Sequence, residues 1–400
     1  MTAAARRQRE RRTEPRDGGA YAMGNRLKRL EVIVCAGSGG VGKTTISAAL
    51  AMAVAAAGDK RVLVLTVDPA RRLATALGMR GLGADPVEVP RRKLTAAGLP
   101  PRGQVVAAQL DMKKAWDQLI ERFSPDARTA QRILSNRFYQ RISDAFVGSQ
   151  EYAAMDALYE LHQEGEYDCV VVDTPPSRNA LDFLDAPNRL SDYVGARLLS
   201  WLAGPSRFGL RAMNFAAAPF LRLADRLLGA EVLEEVTDFV RQLQLLYGAV
   251  QKRARDVYRL LRSPAVGFVV VTSLDPAPLQ EAEFFSTKLR EFSMPLRAVV
   301  VNRVLPAALR AEDATQAATV LEEDPQIAAW LSVELGRRVT LDTARSVGSV
   351  FRMFHTLAER DARQLSRLER LGEVPVSHIP LFTDDDVSEL QGLVRIASLL

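Results

Sequence analysis

The side chains that grip soft metals are scarce in this chain. Its 400 residues include two cysteines and three histidines. Cys35 and Cys169 lie far apart, each inside an apolar run. They form no zinc-type C-x-x-C pair and no disulfide framework, and they fit a reduced, cytoplasmic setting. His162, His355 and His378 have no ligand spacing and read as structural or surface residues. No stretch reaches the roughly 18 apolar residues that a transmembrane helix needs. The charged N-terminus has no apolar core behind it, so it does not read as a secretory signal. No internal repeat is visible, and no low-complexity segment outside that terminus.

An excess of positive charge is also lacking, despite a pI of about 9.3. Residues 1–29 carry nine Lys or Arg against three Asp or Glu, a net +6, and the other 371 residues carry 44 basic and 45 acidic groups, a net −1. The basicity belongs to an arm. Residues 1–30 read as a disordered tail, or as an over-long start before Met23. Contact with nucleic acid or an anionic membrane is the alternative. There is no strong nucleic-acid signal elsewhere.

What is present is a glycine loop, Gly37-Ser38-Gly39-Gly40-Val41-Gly42-Lys43-Thr44-Thr45. The apolar run Val32–Ala36 before it reads as a buried strand, and Ile46–Ala57 after it as a helix. Strand, glycine loop and helix N-terminus together make a phosphate cradle. Successive backbone N–H groups turn toward an anion, and the helix dipole adds partial positive charge. Gly39, Gly40, Val41, Gly42, Lys43, Thr44 and Thr45 are the expected nucleotide-binding residues. Lys43 reaches the β- and γ-phosphates, and Thr44 ligates Mg²⁺. A glycine-rich turn without a ligand is the bland alternative.

Further apolar, β-branched runs follow at Arg61–Val67, Val105–Leu110, Cys169–Val172, Val266–Val271, Leu296–Val301 and Val374–Ile379. None alternates strictly, and helical patterns separate them. This predicts an α/β fold with a mainly parallel sheet covered on both faces. Helices are expected over 71–77, 277–292, 343–371 and 386–400, and the Gly/Pro-rich stretch 78–103 reads as loop. Ligands in such sheets bind at the C-terminal strand ends, where Asp68, Asp173 and Asn302 fall. Asp173, after three valines, fits the carboxylate that holds Mg²⁺ directly or through water. Capping the next turn is its alternative role. Asp68 either orients an attacking water or caps a helix before Pro69. Spacing alone leaves both open.

The segments AGSGGVGKTT, VLTVDPARRLATAL, VVVDTPPSRNALDFLDAP and VVVNRV, in that order, resemble the ArsA/Get family of P-loop ATPases with a deviant Walker A motif. The resemblance covers residues 31–400 and is closest to actinobacterial ArsA-like proteins. It implies an ATPase with ATP and Mg²⁺ as ligands. It implies that Asp68, with Lys43, is catalytic and lies in switch I, and that residues 173–177 form switch II. It implies that Asn302 reads the adenine while Pro380, Leu381 and Phe382 close over the base. Helical inserts are expected at 111–164 and 179–262. Trp201, Met213, Phe215, Phe220 and Leu221 of the second are candidates for a client groove, the alternative being a packed core stripe.

Two departures stand out. The family usually has a lysine at position 38 that acts across a dimer on the partner's nucleotide; here it is Ser38. The expectation is pairing with a lysine-bearing paralogue, or slow hydrolysis as a homodimer. Arg71, Arg72 and Arg178 are candidate replacements, or ordinary surface arginines. The chain also lacks the cysteine cluster of the arsenite branch and the zinc C-x-x-C of the targeting branch, so neither arsenite nor zinc is expected. The functional expectation is a cytoplasmic, dimeric ATP-switched chaperone or targeting factor for hydrophobic membrane proteins, peripheral to the membrane at most. A MinD/ParA-like positioning ATPase is the alternative, and an anion-pump subunit a third reading. The last helix is amphipathic but not lysine-rich, a poor membrane anchor.

Overall fold

The computed structural model describes residues 20–68, 72–100, 102–136, 139–140, 150–174, 246, 248–311, 313–370, 374–382 and 390–400. Eight strands form one sheet: β1 (Val32–Ala36), β2 (Arg61–Thr66), β3 (Val87–Glu88), β4 (Gln104–Gln109), β5 (Cys169–Asp173), β6 (Val266–Thr272), β7 (Leu296–Val304) and β8 (Val376–Pro380). Their order is β3-β4-β2-β5-β1-β6-β7-β8. All pairings are parallel except β3 with β4.

The valine-rich runs are buried on both sides. Val32, Val34, Val170 and Val172 enter one core, and Ile33, Cys35, Val171 and Cys169 the other. Burial on both faces explains why the strands lack polar alternation. On one face lies α2 (Lys43–Gly58). It is buried all round, from Ile46 to Ala55, because β1, β2, β4 and β5 press on one side and α1 (Ala22–Leu27) and α12 (Leu390–Leu399) on the other. Helices buried on every side are apolar on every side. The opposite face carries α5 (Met112–Phe123), α6 (Ala127–Ser135), α7 (Gln150–Glu164) and α8 (Pro276–Glu291).

The remaining helices are α3 (Arg72–Ala76), α4 (Arg91–Ala96), α9 (Ala314–Glu323), α10 (Ile327–Leu335) and α11 (Leu341–Arg370). α9 and α10 pack on α11, whose Leu365 and Leu368 join the same core as α8.

Three sequence expectations need correction. The arm does not extend to residue 30, since α1 occupies 22–27 and buries Met23, Leu27 and Leu30. Spacing of four and three carries these apolar residues past the exposed Arg26 and Arg29. The stretch 78–103 contains β3 and α4, pinned by buried Val89, Leu94 and Leu99. The sheet has eight strands rather than seven, the addition being β3. Helices within 111–164 lay Trp116, Leu119, Ile133 and Met155 on the sheet. The insert proposed over 179–262 lies outside the described residues up to 245. Its end, around 248–261, is helical and adds Val250, Val257 and Leu261 to the same core.

Candidate nucleotide site

The C-terminal ends of β1, β2, β5 and β7 bring the candidate residues together. Pairing of β1 with β5 aligns Cys35 with Asp173, and pairing of β2 with β5 aligns Thr66 with Asp173. The glycine loop leaves β1 under tight steric limits. A Cβ on Gly37 would lie 2.1 Å from the Val271 carbonyl oxygen. Gly42, at φ +91°, caps α2, and a Cβ there would lie 2.4 Å from Asn302 Nδ2. Only glycine fits either place. The first turn of α2 has no side-chain cap and no acidic residue. Its leading N–H groups and dipole therefore favour an anion.

Lys43 is buried, and its ammonium donates to the Ser38 carbonyl at 2.9 Å. Burial lowers its pKa from the ordinary lysine value, while Asp173 and Asp68 oppose that shift. Asp173 is 1% exposed. Its Oδ2 accepts from Thr44 Oγ1 at 2.7 Å and from Thr66 Oγ1 at 2.9 Å, and its Oδ1 from Ser47 Oγ at 3.5 Å. Burial raises the Asp173 pKa; the hydroxyls of Thr44 and Thr66, with the Lys43 charge, pull it back. The Thr174 hydroxyl donates to the Cys35 carbonyl at 2.8 Å and closes the strand end.

Asp68 stands at the end of β2 with its side chain 17% exposed, 3.8 Å from the Arg72 guanidinium. Its backbone N–H donates to Thr66 Oγ1 at 3.2 Å. Asn302 is buried at the end of β7. Its Nδ2 donates to the Val41 carbonyl at 2.8 Å, and its Oδ1 accepts from the Arg303 N–H at 3.0 Å. Pro380 aligns with Val304, and the Leu381 N–H donates to the Val304 carbonyl at 2.9 Å. Arg395 lies over the Phe382 ring, 4.7 Å from its centroid. Residues 380–382 thus hang from the strand that carries Asn302.

Ser38 is 7% exposed, and among the described residues its hydroxyl has no hydrogen-bond partner. Gly39 and Gly40 are exposed, and Thr45 is half-buried beside Thr44. The candidates Arg71, Arg178, Trp201, Met213, Phe215, Phe220 and Leu221, and the switch residues 175–177, lie outside the described residues. Cys35 and Cys169 are buried, and burial pushes both thiols up to about 12.

Sequence reasoning missed Thr66 and Ser47. The only local signals were a hydroxyl two residues before Asp68 and another one helical turn after Thr44. The Thr44 hydroxyl and the Asp173 carboxylate are hard oxygen donors and suit Mg²⁺, which prefers few protein ligands plus phosphate oxygens and water. A buried lysine, a helix N-terminus and that oxygen pair can bind and polarise a polyphosphate.

A mainly parallel, doubly covered sheet with this loop and strand-end carboxylate defines an α/β P-loop nucleoside triphosphatase. Within that class, the profile of the anion-transporting ATPase family matches residues 30–322. The chain belongs to that family. It is similar to the ATPase BagA of Mycobacterium tuberculosis, at 24% identity over 75% of this chain and 73% of that protein. An arsenical pump-driving ATPase of Aquifex aeolicus is 24% identical over 86% of this chain and 78% of its own. The ATPase get3 of Schizosaccharomyces japonicus is 26% identical over 69% and 75%.

Proposed function

We propose that this chain binds and hydrolyses ATP with Mg²⁺ and acts as a dimeric switch that handles hydrophobic membrane-protein segments in the cytosol. The observation that carries the hydrolytic part is the hydrogen-bonded Thr44–Asp173 pair beside buried Lys43. Lys43 and the α2 N-terminus hold the phosphates. Thr44 and Asp173 would hold Mg²⁺, directly or through water, and the ion would supply positive charge to the transferring phosphoryl group. Asp68 orients the attacking water. Asn302, Pro380 and Phe382 border the base.

Exposed apolar side chains support the client part. Trp330, Val333 and Leu335 on α10, and Val347, Val350 and Met353 on α11, are each at least half exposed. Large exposed apolar side chains on two helices that pack together are the surface on which an interaction site would be sought. Among the described residues these, rather than residues 201–221, are the positions to probe. The relatives named ATPase get3 support the ATPase part of this reading. An arsenite-type pump role is less well supported, because both thiols are buried and held protonated.

The missing trans lysine leads to two forms of the same reading. Either a lysine-bearing paralogue completes the dimer, or a homodimer hydrolyses ATP slowly. The test is Mg²⁺-dependent phosphate release by the purified chain, with light scattering in ATP and in ADP. Expected are turnover that Lys43→Ala abolishes, and a larger assembly in ATP. ATP turnover that survives Lys43→Ala would remove the site assignment.

A further inference from the structure

Thr66 lies where the two halves of the candidate catalytic apparatus meet. Asp173, at the end of β5, is the carboxylate on the metal side. Asp68, two residues beyond Thr66, is the carboxylate on the water side. A hydroxyl has one proton to give and two lone pairs to accept with. Thr66 Oγ1 uses both capacities: it donates to Asp173 Oδ2 at 2.9 Å and accepts from the Asp68 backbone N–H at 3.2 Å. The side chain is 2% exposed, so water cannot take over either bond.

The strand backbone braces the same point. The Leu110 N–H donates to the Thr66 carbonyl at 2.9 Å, and the Val67 N–H to the Asp173 carbonyl at 3.2 Å. We propose that Thr66 is a positioning residue that sets the Asp68 carboxylate relative to the metal-side carboxylate through its single hydroxyl. The inference rests on the ATPase reading above.

Valine matches threonine in shape but has no hydroxyl. In Thr66→Val, Asp173 Oδ2 keeps only the Thr44 bond, and the part-buried Asp68 N–H loses the Thr66 hydroxyl as an acceptor. Serine restores the hydroxyl and lacks only a methyl. A hydrogen bond to a charged group that is needed in the transition state is worth about ten-fold or more in rate. Thr66 does not touch the glycine loop in any bond described, so nucleotide affinity is expected to hold.

The experiment measures kcat and the KM for ATP for the wild-type chain, Thr66→Val and Thr66→Ser. It adds the affinity for a fluorescent ATP analogue and amide hydrogen exchange at Asp68. The expected result is a kcat about ten-fold lower in Thr66→Val, with KM and analogue affinity within about two-fold, and recovery in Thr66→Ser. Exchange at the Asp68 amide should accelerate in Thr66→Val and not in Thr66→Ser. Wild-type kcat in Thr66→Val overturns the inference, as does a Thr66→Ser rate as low as that of Thr66→Val. A parallel loss of kcat and analogue affinity also overturns it, since that reports damage to the cradle. Should the wild-type chain itself fail to release phosphate from ATP, the ATPase reading falls and the inference with it. Failure of the inference alone leaves wild-type turnover intact.

Discussion

Asp68 sits between an arginine and a hydroxyl, and the two neighbours make opposite demands. Thr66 holds its backbone from inside the sheet, while Arg72 reaches its carboxylate from the surface. Asp68→Asn keeps the shape and removes the charge that would align water. It should lower kcat by about 10²-fold while ATP binding persists, measured as phosphate release against analogue affinity. Of the three arginines considered for the charge missing at position 38, Arg72 is the one among the described residues. If it stabilises the transferring phosphoryl group, Arg72→Ala lowers kcat; if it only neutralises Asp68, the same change raises it. Single-turnover rates decide between the two. Lys43, Thr44 and Asp173 were legible in the sequence because one loop and one valine run announce them. Thr66 was not, because its partner Asp173 comes from a strand far along the chain. Which hydroxyl meets which carboxylate depends on strand order, and local spacing does not encode that.

Among elements, α1 shows most plainly what charge patterning concealed. Six residues between basic neighbours read as tail, yet Met23 and Leu27 bury themselves against α2. The contact is close: a Cβ on Gly24 would lie 2.4 Å from the Ala53 carbonyl oxygen. Leu27→Ala should therefore cost about 2–5 kcal/mol of stability, and Gly24→Val about 1–3 kcal/mol through overpacking, both measured by denaturant unfolding. A disordered arm would show neither loss. The seven long strands were legible because valine and isoleucine crowd runs of strand length. The two-residue β3 has no such run: Val87 is 42% exposed and its hold comes from one antiparallel pairing. α9 and α10 went unassigned because their apolar residues do not all face inward. Val333 is 80% exposed, so the inside–outside pattern that identifies helices is blurred there.

At the scale of the molecule, acid should weaken the fold at its β8 edge. Partial desolvation of a side chain still 37% exposed holds the His378 pKa below the ordinary histidine value, with Glu369 opposing from 3.4 Å. The unfolded chain therefore takes up a proton near pH 6.5 that the folded chain refuses. Stability is full above that pH, falls as pH drops through it, and levels off below the folded pKa. His378→Gln should flatten the dependence of the urea midpoint on pH between 7 and 5; an unchanged slope would clear His378 of the effect. Strand order has a consequence of a different kind. Val32 pairs with Val170 on one side and Val266 on the other. The strand that feeds the glycine loop is thus made before both of its neighbours, and one of its edges stays unpaired until Val266 has emerged. Contacts of such long range form slowly, and the waiting valine edge is a target for chaperones or for aggregation. A nascent chain arrested before Val266 should not retain ATP, whereas one arrested well past Thr272 should begin to.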